Sequence, residues 1–395
     1  MKQRILVLTA VKLSANPRVE RQLKSLSAEY EVITAGLGNS PFSFPHIDLT
    51  CKRSVRLFRV NLLALPRVLV LAAAQILRIF WLSDRLFGMT WDALPAWRAV
   101  RRLESVQPNY VFAHDVQTLW IVNRISQRSR VWVDLPEIAA WQNTSSWKWR
   151  VLWRAQFEHQ TKLAAQAGHY FTTVSGGLKR EFWERFGINA EEFWNTGIKH
   201  QPIAESTPVQ DAMKLRLVHT GAAIVSRRLD TMIHAVDGIT NVSLDFYLTN
   251  LSSAEWKRLH KLAAMTRNVR VHEAVPKEAM LDVISKYDAM LVFVIPDNLN
   301  QQYCLPNKFF DALRVGIPIV SGPTPDIADL ISQYQIGFVT QTFLASDLRA
   351  LIESISPSSL LDLRENVRLA ADVLCRDDSE FVNQALRKLK ANHPA

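Results

Sequence analysis

Cysteine is scarce. The chain of 395 residues has three, Cys51, Cys304 and Cys375, dispersed and without metal-ligand spacing, so neither a disulfide framework nor a zinc site is suggested. That favours a reducing compartment. There is no Walker-type phosphate loop, no HExxH, no GxSxG elbow and no Asp-x-Asp clamp. P-loop nucleotide chemistry, zincin proteolysis, α/β-hydrolase acyl transfer and a paired-Asp metal site therefore lack their usual carriers. Gly36-Leu37-Gly38 follows a predicted strand, but no third glycine and no helical pattern come after it, so it reads as a turn. Uninterrupted apolar runs are also missing: residues 62–82 are broken by Pro66, Arg67, Gln75 and Arg78, which argues against a spanning helix. The N-terminus, Met1-Lys2-Gln3-Arg4 and then Ile5 to Ala10, has too short an apolar run and no small-residue cleavage site, and is expected to be a first strand rather than a signal peptide.

The length suggests two domains, each able to bury a core. The basic surplus is uneven. Residues 1–200 carry 27 Lys and Arg against 15 Asp and Glu, whereas the remainder carries 20 against 22. An acidic partner of the first half is implied: nucleic acid, an anionic membrane surface or a phosphorylated substrate. Within that half, Lys52, Arg53, Arg56 and Arg59 precede the interrupted apolar segment, and Trp81, Phe87, Trp91 and Trp97 border it. Basic residues beside apolar helix faces with Trp at the margins fit a segment lying in a membrane interface, as well as helices packed in the domain with snorkelling arginines. Aromatics are not interleaved with basic residues as base-stacking platforms would be, apart from the run Trp147 to Arg154, which argues against nucleic acid.

Strand and helix periods alternate along most of the chain. Residues 4–10 read as a strand, 18–28 as a helix through Val19, Leu23 and Leu26, and 32–37 as a second strand, a βαβ start that predicts a parallel doubly wound sheet. Strands at 110–113, 131–133 and 170–174 end in His114-Asp115, in Asp134-Leu135-Pro136-Glu137 and in Ser175-Gly176-Gly177. Such a sheet binds ligands beyond its carboxyl ends. Residues 199–214, with two prolines and few apolar side chains, read as a linker. A second series follows, with strands at 215–218, 243–248, 269–271, 289–294, 317–320 and 338–340 alternating with helices at 229–236, 254–264, 277–285 and 326–333. A last amphipathic stretch, 379–390, could pack on either domain. Two such domains are expected to place the site in a cleft between them.

One stretch organises the second domain. From Pro306 the sequence stays free of breakers to Gly316, predicting a short helix with Pro306 at its first position. Lys308 and Asp311 share a face, and the helix start favours an anion. A phosphate at the tip and a diol on Asp311 would fit; so would an ordinary solvated Lys308–Asp311 pair. Gly221, after a strand, permits close backbone approach, and Arg227 and Arg228 offer planar forks matched to phosphate oxygens.

The segment Leu305-Pro-Asn-Lys-Phe-Phe-Asp-Ala-Leu-Arg-Val-Gly-Ile-Pro-Ile-Val320 resembles the Leu-Pro-Asn-Lys-x-Phe-Glu…Ala-Gly-x-Pro-Val-Val signature of GT-B glycosyltransferases of the large retaining family 4, or group 1, with Asp311 for the usual Glu. Ser14-Ala15-Asn16-Pro17-Arg18-Val19, Ala113-His114-Asp115, Thr173-Val174-Ser175 and Phe186-Gly187-Ile188-Asn189 with Asn195 resemble further family motifs in the same order. The resemblance implies two Rossmann-like doubly wound domains facing across a cleft. Their expected limits are residues 1–198 for the acceptor, with a membrane-facing region at about 52–97, 215–375 for the nucleotide-sugar donor beyond the linker at 199–214, and a return helix at 376–395. It also implies retention of configuration and no required metal or cofactor.

Carried over, Asp311 would bind the ribose, Arg227 would stand for the phosphate-binding Lys, Gly221 would border the diphosphate, and His114 would face the donor sugar or acceptor hydroxyl, making His114, Arg227 and Asp311 the catalytic candidates. Arg228, Asn300, Gln302, Tyr303, Pro306, Asn307 and Lys308 complete the donor side; Asn16, Arg18, Asp115 and Glu137 complete the acceptor side. The chain departs from the family at Tyr303, where relatives have Glu, at Ala222, where many have Arg, and at Pro136, where many have His. The expectation is sugar transfer to a lipid-linked or cell-envelope saccharide at the cytoplasmic face of the plasma membrane. The alternative is a catalytically impaired nucleotide-sugar-binding homologue scaffolding a partner there.

Overall fold

The computed structural model describes residues 2–13, 17–51, 56–57, 60–61, 65–87, 93–126, 129–196, 214–376 and 378–391. It divides into one unit of Met1–Trp194 with Asp378–Ala395 and another of Asn195–Asp377. Of the expected linker only Lys214 lies among the described residues, and Asn16 lies outside them.

The first unit opens with β1 (Arg4–Thr9), α1 (Pro17–Glu29), β2 (Glu31–Gly36) and β3 (His46–Asp48), followed by a small antiparallel pair, β4 (Arg56–Leu57) and β5 (Val60–Asn61). Next come α2 (Leu65–Ile76), α3 (Phe80–Phe87), α4 (Ala96–Leu103), β6 (Tyr110–His114), α5 (Leu119–Ile125), β7 (Arg130–Asp134), α6 (Arg154–Ala167), β8 (Tyr170–Thr173), α7 (Gly176–Phe186) and β9 (Glu191–Glu192). The strands form one parallel sheet in the order β3-β2-β1-β6-β7-β8-β9. Strands β1 and β6 are apolar on both faces because helices cover both, as a parallel sheet requires. Ser175 caps α7 by accepting from the Leu178 N–H, and Gly187 ends that helix in the left-handed conformation.

The second unit runs β10 (Leu215–Ala222), α8 (Asp230–Val236), β11 (Val242–Thr249), α9 (Ala254–Ala264), β12 (Val269–Glu273), α10 (Lys277–Ile284), β13 (Ala289–Val292), α11 (Leu299–Gln302), α12 (Asn307–Val315), β14 (Ile319–Ser321), α13 (Pro325–Tyr334), β15 (Gly337–Val339), α14 (Ala345–Ser354) and α15 (Pro357–Leu374). Its parallel sheet has the order β12-β11-β10-β13-β14-β15. Strand β14 starts two residues later than the apolar run suggests, because Pro318 has no N–H to give the ladder. Pro306 sits one position earlier than expected: its extended backbone, ψ 153°, makes it the cap, and Asn307 opens α12.

The last helix, α16 (Asp378–Ala391), settles a question the sequence left open. Its apolar face, Val382, Ala385, Leu386 and Leu389, joins the core that Val19, Leu23 and Leu26 of α1 form with β1, so it belongs to the first unit. Arg21 of α1 reinforces that seam by bonding Asp378 at 2.5 Å.

Candidate functional site

In the second unit, α12 buries Phe309, Phe310 and Leu313 in the core beside β13. Lys308 follows them inward. It is buried, and its Nζ lies 3.0 Å from Nε2 of His219 in β10 rather than in a solvated pair with Asp311. Asp311 is half-buried, with Arg314 Nη1 at 3.5 Å. Gly221, two residues after His219, has φ +154°, and a Cβ there would stand 3.0 Å from Arg227 Nη1, 3.3 Å from Lys308 Nζ and 3.8 Å from His219 Nε2. The space beside Gly221 is thus lined by nitrogens from three segments of chain. Burial, with the Arg227 charge adding, brings the Lys308 ammonium down to about 7, while Cys304 and Asp311 oppose the change. Two cations held this close favour an anion between them.

The other donor-side candidates take different places. Arg228 is exposed in the left-handed region, φ 45°. Asn300 is buried in α11, Gln302 and Tyr303 are half-buried, and Asn307 is exposed at the first position of α12. Gly221, Arg227 and Lys308 are the three candidates brought directly together.

In the first unit the carboxyl ends of β6, β7 and β8 converge on Asp134, which is fully buried. Its oxygens accept a bidentate pair from Arg18, Nε at 2.8 Å and Nη2 at 2.9 Å, and a bond from Thr172 Oγ1 at 2.7 Å; His114 Nδ1 lies 3.3 Å away. Burial alone would raise its pKa, but Arg18 and His114 hold it well below the usual carboxylate range. Arg18 is committed further, giving Nη1 to the Phe193 carbonyl at 2.7 Å beneath the Phe193 ring. Its Nε, Nη1 and Nη2 are thus all engaged within the first unit. With Nδ1 facing Asp134, the Nε2 of His114 is buried without a hydrogen-bond partner among the described residues. Asp115, next in sequence, has φ 67°, and its carboxyl is raised to about 6, chiefly by burial. Strained backbone of this kind collects at functional sites. Glu137 is exposed and accepts from Gln142 at 2.9 Å.

His219 and Asp134 were not among the site residues read from the sequence. The signal for His219 was a polar ring just past the predicted strand 215–218 and two residues before Gly221; for Asp134 it was an acid closing a strand, as His114-Asp115 close theirs.

Helices α2 and α3 pack together with polar groups inward: Gln75 donates to Ser83 at 2.6 Å and to Gln156 at 3.0 Å, and Asp84 accepts from Gln156 and from Gln160. Large apolar side chains turn outward, with Ile76 63%, Leu77 68% and Trp81 63% exposed. In the Trp147 to Arg154 run, Trp149 stacks on Phe157 at 5.1 Å and bonds the Ala140 carbonyl, whereas Trp147 stays exposed. Among the described residues no helix is long and apolar enough to cross a membrane, and no His, Cys, Asp or Glu group could hold a metal ion.

No protein-family model and no curated protein matches the chain by sequence. Solved structures do match. HepE from Anabaena, in complex with UDP and glucose, superposes at TM-score 0.68 and 13% identity over 98% of this chain and 99% of its own. Sucrose-phosphate synthase from Thermosynechococcus elongatus gives 0.70 at 13% over 99% and 100%. The lipopolysaccharide outer core galactosyltransferase WaaB gives 0.54 at 11% over 98% and 95%. The chain has the GT-B fold. At such identities the likeness reaches no further than the fold.

Proposed function

We propose that this protein is a glycosyltransferase of the retaining family 4 type, taking a sugar from a nucleotide-diphosphate donor without a required metal. The observation that carries the reading is the cradle beside Gly221, where the nitrogens of Arg227 and Lys308 close on a backbone that carries no side chain. The departing diphosphate gains negative charge as the glycosidic bond breaks, and cations fixed at that point favour the transition state over the ground state. Asp311, one turn further along α12, would take the ribose hydroxyls, with Asn300, Gln302, Tyr303 and the helix tip at Pro306 and Asn307 toward the sugar and phosphate. In the first unit the unpartnered Nε2 of His114 would accept from a sugar or acceptor hydroxyl, with Asp115 and Glu137 beside it. HepE, of the same fold, binds UDP and UDP-glucose, which supports a nucleotide-sugar donor.

The acceptor we propose is a lipid-linked or cell-envelope saccharide, reached at the cytoplasmic face of the plasma membrane. Supporting this are the basic first half and the apolar side chains that α2 and α3 turn outward. Tyr303, in place of an acid, favours one second reading: a nucleotide-sugar-binding scaffold without turnover. The deciding experiment incubates the purified chain with candidate donors and acceptors and measures nucleotide diphosphate release. Release abolished by Arg227→Ala and Asp311→Ala supports the transferase. Binding without release supports the scaffold, and donor affinity unchanged in both variants defeats either reading.

A further inference from the structure

The cradle beside Gly221 contains an imidazole to which the mechanism above gives no task. His219 is 1% exposed, and its Nδ1 lies 2.8 Å from the carbonyl oxygen of Leu291 in β13. A carbonyl can only accept, so Nδ1 carries the proton and Nε2 is left a bare acceptor. The Nζ of Lys308, which can only donate as an ammonium, lies 3.0 Å from that nitrogen. The match runs in one direction. A protonated ring would set two donors against each other, and burial, Lys308 and Arg227 together keep the imidazole neutral.

The other groups facing Lys308 are Arg227 after β10, Cys304 before α12 and Asp311 on α12 itself. Arg227 repels it, and burial pushes the Cys304 thiol up to about 12. Asp311 attracts it and is spaced three residues on, the separation at which helical ion pairs form. Without an acceptor on β10, Lys308 would lose its proton to relieve burial or turn to Asp311. We propose that His219 is a positioning residue for the donor site: through Nε2 it holds Lys308 Nζ beside Gly221, where the diphosphate arrives. This rests on the donor reading above. A diphosphate beside Nζ favours the ammonium, so above about pH 7 binding draws one proton from solvent onto Lys308, and affinity falls as pH rises through that value.

Gln and Met are nearly isosteric, and only Gln offers an acceptor where Nε2 stood. Calorimetric titration of the full chain with UDP and with inorganic pyrophosphate, at about pH 6 and about pH 8, separates His219→Met from His219→Gln. The Met variant is expected to bind both probes about tenfold more weakly at the higher pH and less so at the lower, with the Gln variant within about threefold of wild type. Equal losses in the two variants, or a Met loss that does not change with pH, overturn the proposal. A wild type that binds neither probe defeats the donor reading instead. The coupling is then read without ligand, from pH-dependent acetylation of Lys308 followed by mass spectrometry: a shifted titration in the Met variant alone upholds it, and superimposable curves overturn it. If His219→Met does not fold, proton uptake on UDP binding decides. Uptake in wild type and His219→Gln that is lost in Lys308→Met upholds it, and equal uptake in all three overturns it.

Discussion

The side chain on which the first unit's site depends is Asp134, because it serves Arg18, His114 and Thr172 at once. Removing its charge while keeping its shape leaves the Arg18 guanidinium buried against an amide. Asp134→Asn is therefore expected to cost roughly 3–5 kcal/mol, read as a lowered urea midpoint, with His114 also losing its carboxylate neighbour. Its neighbour Asp115 acts with the opposite sign. Its folded carboxyl, raised from the ordinary 3.8 to about 6, holds a proton that the unfolded chain releases, so its contribution to stability is present below pH 3.8 and is lost as pH rises to about 6. Urea titrations between those pH values should show that loss in wild type and a smaller one in Asp115→Asn; identical slopes would remove Asp115 as the cause. In the second unit, Gly221→Ala meets φ +154° and Arg227 Nη1 at 3.0 Å. Weaker UDP binding and a lowered thermal midpoint are expected, since the Arg227 end can move aside but an alanine stays strained at that φ.

At the scale of the element, α12 shows how a fold turns a surface-looking pair into a site. The pattern Lys308, Asp311, Arg314 reads as solvated charge, but Phe309, Phe310 and Leu313 seat the helix so deeply that Lys308 is carried inward. Gly316 stops the helix at φ 76°, letting the chain turn into β14. Gly316→Ala should cost about 1 kcal/mol in a urea titration, with an unchanged m-value. Where α2 meets α3, Gln75 and Asp84 are held inside while Ile76, Trp81 and, between the helices, Leu77 face outward. Exposed apolar side chains stabilise little, so replacing all three by Ser should leave the thermal midpoint near wild type. The same change should reduce co-sedimentation with anionic vesicles; undiminished binding would remove these helices from the membrane reading.

At the scale of the whole molecule, the sequence by itself determined the alternation of strands and helices that builds the two parallel sheets, while α4, α5, α6, α14 and α15 were not read from it. Hydrophobic period and chain-breaking residues are local properties, and they survive without coordinates. The first unit's basic surplus was legible for the same reason, as a count. Pairing was not legible. That Lys308 meets His219 across 89 positions, and that Arg18 is spent on Asp134 across 116, follows from which strands lie side by side, and nothing in either neighbourhood encodes it. The place of α16 was likewise undecided by its own amphipathic pattern, which fits any apolar groove; the core of α1 and β1 selected it. Composition and periodicity fixed what each segment could be, while burial, which sets the charge state and partner of every titratable group, was decided only when the segments packed.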